Sequence, residues 1–393
     1  MAGSVRGFRF GAVSAGIRKD GRIDVALAVA DRPAVVAGLV TRNLVKAAPI
    51  LVASERLPAG LARAVLVNSG CANACTGEPG LAAARQATEA IARELDASPE
   101  QVLPASTGVI GALLPAEKIA AKAKELVAGL SADRADDFAL AICTTDRWPK
   151  VAEATIETPN GKVALLGIAK GAGMIHPDVG PPHATMLVFL FTDARIERAE
   201  LERALVPAAD HSFNAISVDG DTSTNDFVVA LASGASDIAV SAAELGPALL
   251  DVCKQLARSM VVDGEGAEHA VDIAVRGLPS EADARRVAHT VATSLLVKTA
   301  LFGRDANWGR LLAAAGRSGV AFDPSRASIS IAGVEIVRNG LTLGAAAEAE
   351  AQKLMSASAF AVELVLGSGP GAFTYLTSDL GHSYVDVNAG YRS

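Results

Sequence analysis

Aromatic side chains are scarce: Phe, Tyr and Trp make up 4% of the 393 residues, although hydrophobic residues of all kinds reach 50%. The core is therefore expected to be filled by aliphatic side chains rather than rings. Cysteine is equally thin, at four positions. Cys71 and Cys75 lie four apart, but no second close Cys or His pair completes a zinc site, so with Cys143 and Cys253 they read as buried, reduced thiols. A positive excess is missing too. The formal net charge of −7 leaves no uniform basic field for a phosphate backbone or an anionic membrane, which excludes nucleic acid as an expected partner. No apolar run approaches the ~20 residues needed to span a bilayer. Met1–Arg6 lacks the apolar segment of a signal peptide, and the expectation is a soluble, cytoplasmic protein.

The familiar cofactor fingerprints are absent as well. No stretch fits the phosphate-cradling G-x-x-x-x-G-K-[ST] pattern. Gly367-Ser368-Gly369-Pro370-Gly371 does not fit G-x-G-x-x-G, and its proline removes an N–H donor. Asp219–Asp226 starts like a calcium loop, but Thr224 stands where Gly is needed and Ala230 where the bidentate Glu belongs. The six histidines show no two-His pattern on one helix face. Neither a metal nor a bound cofactor is expected.

What is present is a regular alternation of strand-like and helix-like segments, in a chain long enough for two or three domains. Arg22–Ala30, Ala34–Thr41 and Arg63–Val67 read as strands, and Gly80–Leu95 and Pro115–Leu130 as amphipathic helices. Lys150–Glu157 and Lys162–Ala169 flank Asn160-Gly161, a dipeptide suited to a tight hairpin turn. Thr185–Thr192 is apolar through its middle and predicts a strand buried on both faces. Helices are predicted at Glu197–Ala208, Ala242–Met260 and Glu281–Leu301, followed by a hairpin at Ala327–Val337 and strands near Phe360–Leu366 and Phe373–Leu376. Gly171–His183 is too rich in glycine and proline for regular structure.

A set of polar residues remains. Lys170-Gly171-Ala172-Gly173-Met174 closes one strand, and Ala184-Thr185-Met186-Leu187 opens the next. By propensity alone Thr185 is an ordinary strand threonine, and Ser106-Thr107-Gly108 is a turn after a strand. Taken together, however, Lys170–Met174, Ala184–Leu187 and Thr192-Asp193-Ala194 resemble the cleavage-site signature of the ornithine acetyltransferases. Asn68–Gly77, Ala105–Gly111, Thr144-Thr145-Asp146, Asp219–Asp226, Asp263–Gly266, Asn307–Arg310 and Tyr384–Ser393 continue the match in order, over residues 10 to 393.

The resemblance implies an αββα sandwich of the N-terminal-nucleophile type with a smaller C-terminal α/β domain. It implies two chains, 1–184 and 185–393, from a cut between Ala184 and Thr185, the smaller domain starting at about 280 and its tail returning to the active site. The logic is sound, because a threonine hydroxyl needs a base and a freed α-amine, with a reference pKa of about 7.7–8.0, can serve. Thr185 would take an acetyl group from N-acetyl-L-ornithine and pass it to L-glutamate, with Thr107 and Gly108 as oxyanion donors. Thr144, Lys170, Thr185, Glu265, Asn388 and Ser393 would bind substrate, Lys170 suiting a carboxylate and Glu265 an ammonium group. Acetyl-CoA is left open as a second donor, and two copies of each product are expected to associate as a heterotetramer. Gly180-Pro181-Pro182-His183 makes the segment before Thr185 about three residues longer than the family pattern. The alternative reading is an N-terminal-nucleophile aminopeptidase or amidase, which would pass the acyl group to water.

Overall fold

The structure, a computed structural model, describes residues 5–180 and 186–390. They divide into two compact units. The first runs to Asn214 and includes Asp221–Met260; the second takes Ala215–Gly220 and the residues from Val261 onward. That unit begins before the expected boundary at about 280, because the strand Ala270–Leu278 pairs with Ala359–Val365 and Gly371–Ser378 on its two sides.

In the first unit the strands run in the order Val102–Val109, Leu61–Cys71, Val25–Thr41, Phe227–Ala232, Leu187–Thr192, Gly161–Lys170 and Lys150–Thr158. Phe8–Val13 and Val179–Gly180 also pair with Val25–Thr41. The two strands expected at Arg22–Ala30 and Ala34–Thr41 are thus one strand of 17 residues. Its first half bonds Phe8–Val13, its second half bonds Phe227–Ala232, and its register with Leu61–Cys71 shifts between Val29 and Ala34. Asp31-Arg32-Pro33, at that shift, is exposed, and Pro33 has no N–H to donate to a ladder.

At this point the sheet folds over on itself. Phe8 and Phe10 meet Phe191 edge-on, each at 5.1 Å between centroids, although their strands are not neighbours in the sheet. Phe138, from the helix Ala135–Ala141, joins them at 5.3 Å from Phe189. The core is filled mainly by aliphatic side chains, as expected, and these rings meet between the two layers. Such edge-to-face pairs add about 0.5–1.5 kcal/mol each beyond the area they bury. Helices Gly77–Glu94 and Ala116–Ala128 cover one outer face through Ile91, Ile119 and Leu126 against Val25, Leu27 and Leu66. Helix Ala242–Val262 covers the other, its Val252 and Leu256 seated where Gly167 has no side chain. The layers are helix, sheet, sheet, helix, an αββα sandwich.

The second unit holds a sheet in the order Leu341–Thr342, Val334–Arg338, Ser328–Ile331, Ala359–Val365, Ala270–Leu278, Gly371–Ser378 and Ile216–Ser217. The single helix expected over Glu281–Leu301 is broken into Glu281–Ala292 and Leu295–Phe302. Thr293 donates its hydroxyl to the His289 carbonyl, and Ser294 is extended, the usual way such residues compete with a helix. Among the described residues no helix is long and apolar enough to cross a membrane.

Candidate active site

Strands Leu61–Cys71 and Val102–Val109 lie parallel, with Ser69 opposite Thr107 and Gly70 opposite Gly108. Thr107 and Gly108 therefore belong to the end of a strand and not to a turn after it. Gly108 has φ 130°, and a Cβ there would stand 2.4 Å from the Gly70 carbonyl carbon, so only glycine lets the two backbones approach this closely. The strand ends are tied from three sides. The Ser106 hydroxyl donates to Asn68 Oδ1 at 2.6 Å, and Asn225 Nδ2 donates to the carbonyls of Ala72 and Ser106, each at 2.8 Å. Asn225 comes from the Asp219–Asp226 motif, which thus acts as a clamp on the strand ends.

Lys170 ends the strand Gly161–Lys170 and is buried. Its Nζ donates to Thr107 Oγ1 at 3.1 Å and to Thr144 Oγ1 at 2.8 Å. Behind it sits Asp146, whose side chain is wholly buried. Asp146 Oδ1 accepts from Lys150 Nζ at 2.6 Å and from the Gly171 N–H at 2.7 Å, and Oδ2 accepts from the Thr144 N–H at 3.1 Å. Burial by itself would raise the Asp146 carboxyl. The charges of Lys170 and Lys150, with the bonds from Lys150 and Gly171, outweigh burial and hold it at about 2. Thr107, Thr144 and Lys170, all named from the sequence, are brought together by the structure, whereas Asp146 and Lys150 were not singled out there. The Thr144-Thr145-Asp146 motif carried the signal for Asp146; nothing in the sequence marked Lys150.

Glu265 and Asn388 belong to the second unit, where Asn388 Nδ2 donates to Glu265 Oε2 at 3.1 Å and to the Tyr384 carbonyl at 3.0 Å. A Cβ on Gly266 would lie 2.3 Å from the Tyr384 N, so the loop and the helix His382–Ala389 pack backbone against backbone. Asp379 adds a tie by accepting from the N–H groups of Glu268 and His269. Ala184, Thr185 and Ser393 lie outside the described residues, as do Pro181, Pro182 and His183 of the extended segment. Of the four cysteines, Cys71, Cys143 and Cys253 are buried, but Cys75, expected to be buried, is exposed.

With this geometry in place, a model of the ArgJ family matches residues 9–393. A Geobacter sulfurreducens protein described as an arginine biosynthesis bifunctional protein ArgJ is 48% identical, with 99% of this chain and 100% of that protein covered. A Nitratidesulfovibrio vulgaris protein of the same description is 46% identical and covered in full, as is this chain. The crystal structure of an arginine biosynthesis bifunctional protein ArgJ from Bacillus halodurans is similar at TM-score 0.50 and 36% identity. It covers 52% of this chain and 98% of its own.

Proposed function

This chain belongs to the ArgJ family, and on that premise we propose that it cuts itself before Thr185 and then carries acetyl groups on that residue. It is an enzyme of arginine biosynthesis, an ornithine acetyltransferase and glutamate N-acetyltransferase. In our reading the Thr185 hydroxyl attacks the Ala184 carbonyl, the acyl group moves from nitrogen to oxygen, and water releases two chains. The freed α-amine then takes the hydroxyl proton as Thr185 attacks the acetyl carbonyl of N-acetyl-L-ornithine. Ornithine leaves with that proton, and the amine of L-glutamate takes the acetyl group from the ester.

The observation that carries this reading is the cluster of Thr107, Thr144 and Lys170 beside Gly108 at the strand ends. It gathers hydroxyl and ammonium donors of the kind that an acyl-transfer oxyanion needs. In the second unit Glu265, held by Asn388, is a carboxylate suited to an α- or side-chain ammonium group. The B. halodurans chain supports the cut: 98% of its length accounts for 52% of this chain, close to the share of residues 185–393, which are 209 of 393. The word bifunctional in the relatives' descriptions supports a second donor, for which acetyl-CoA is our proposal. A cytoplasmic heterotetramer of two copies of each product completes it.

Incubation with acetylornithine separates the outcomes. Acetylglutamate should form only when glutamate is present, whereas an aminopeptidase or amidase would release acetate or ornithine without it. Replacing acetylornithine by acetyl-CoA reads the second donor directly. Intact mass spectrometry should give two products that divide 40.0 kDa in the ratio 184 to 209, about 19 and 21 kDa. An active preparation containing a single uncut species would defeat the proposed base.

A further inference from the structure

An ammonium group donates hydrogen bonds and cannot accept them. At its two contacts, then, Lys170 is the donor, and Thr107 Oγ1 and Thr144 Oγ1 accept. The Thr107 O–H must therefore point away from Lys170, and among the described residues it meets no acceptor. Half-buried Thr107 thus presents a proton polarised by a neighbouring cation, which is what a developing oxyanion would meet.

Why Lys170 donates to two neutral hydroxyls, with a carboxylate nearby, is answered by how Asp146 is occupied. Lys150 and the Gly171 N–H fill Oδ1, and the Thr144 N–H takes Oδ2. Lys170 stays 3.9 Å from Oδ2, near enough for attraction but outside hydrogen-bond distance. Two lysines share one carboxylate, so the cluster keeps one net positive charge, and it lies on the Thr107 side. We propose that Asp146, through this arrangement, is a positioning residue of the transfer reaction: it holds Lys170 against Thr107 and so aims the Thr107 proton at the oxyanion. Lys150 completes the arrangement by keeping Asp146 from capturing Lys170. This rests on the reading of Thr107 as an oxyanion donor.

Full-length variants, each confirmed as cut by intact mass and as folded by thermal melting, decide the matter through turnover with acetylornithine and glutamate. Thr107→Ala should lower kcat by about 10²–10³. Asp146→Asn should lower it by roughly tenfold to a hundredfold, because the carboxylate that lies between the two ammonium groups is lost and Lys170 leaves Thr107. In the Thr107→Ala background the same Asp146→Asn change should cost less than about threefold, since its effect passes through Thr107. Asp146→Asn combined with Lys150→Met restores a single net charge and should recover part of the lost turnover. A purely structural role for Asp146 would instead make that second buried truncation worse. Equal losses from Asp146→Asn in both backgrounds, or no recovery on removing Lys150, would overturn the proposal. Normal turnover in Thr107→Ala would instead overturn the oxyanion reading. Should Asp146→Asn fail to fold or to be cut, Lys150→Met alone is read. It frees Oδ1 for Lys170 and should also lower kcat, with the same insensitivity in the Thr107→Ala background, and additive losses there overturn the proposal.

Discussion

Lys298 shows how differently a third buried lysine can be housed. It is 2% exposed and donates to Thr377 Oγ1, to Ser378 Oγ and to the Ser378 carbonyl, with no carboxylate in direct contact among the described residues. Burial pushes it down to about 7, against the upward pull of Asp379 and Asp219. Unfolded, the same group holds its proton up to about 10.5. Between those values the unfolded chain binds one more proton, so its contribution favours the folded state increasingly as pH rises from 7 toward 10. The urea midpoint of the wild type relative to Lys298→Met should therefore increase between pH 7 and pH 9. A constant difference would show that the ammonium is not destabilised there. Such a residue is invisible in sequence, because Lys298 sits at an ordinary helical position and only the neighbouring strand end makes it buried. Asp146 stood in the matched Thr144-Thr145-Asp146 motif, but its surroundings were hidden for the same reason: its partners come from Lys150 and from a turn at Gly171.

Among the elements, the paired strand ends at Gly70 and Gly108 carry the strictest geometry. Gly108→Ala places a methyl group 2.4 Å from the Gly70 carbonyl carbon at a φ that side chains rarely adopt. It should cost about 1–3 kcal/mol as strain, part the two strands, and lower transfer by shifting both proposed oxyanion donors together. Melting and steady-state kinetics on the cut enzyme check this, and full turnover with a depressed melting point would detach the strand end from catalysis. The sequence made the hairpin at Asn160-Gly161 and the long helices legible, because turn chemistry and periodicity are local signals. Propensity alone reads Ser106-Thr107-Gly108 as a turn, splits Val25–Thr41 at Asp31-Arg32-Pro33 and fuses the two helices at Thr293-Ser294. The first two errors sit where tertiary pairing overrides local propensity, at a parallel neighbour and a folded-over sheet, and the third where Thr293 and Ser294 compete with the helix.

At the scale of the molecule, the ordered motifs from residue 10 to the end made the sandwich readable by resemblance, but not the order of its strands. That order alternates across position 184. Phe227–Ala232 and Leu187–Thr192 lie between Val25–Thr41 on one side and Gly161–Lys170 on the other. Two products of a cut before Thr185 would share one hydrogen-bonded sheet and the Phe8, Phe10 and Phe191 contacts without any disulfide. They should therefore co-elute in native size exclusion and separate only in denaturant. Separation of active protein into two peaks in plain buffer would contradict the shared sheet.

The same alternation sets the order of events in the protein's making. A ribosome-fresh fragment ending at residue 184 would lack the two strands that belong between its own, leaving bare edges of the kind that pair with strangers. Maturation thus has to wait until the whole chain has been laid down and woven. If the nucleophile appears only through the cut proposed before Thr185, it would be granted to finished molecules alone, and self-cleavage would double as an inspection step in which a misassembled copy stays inert.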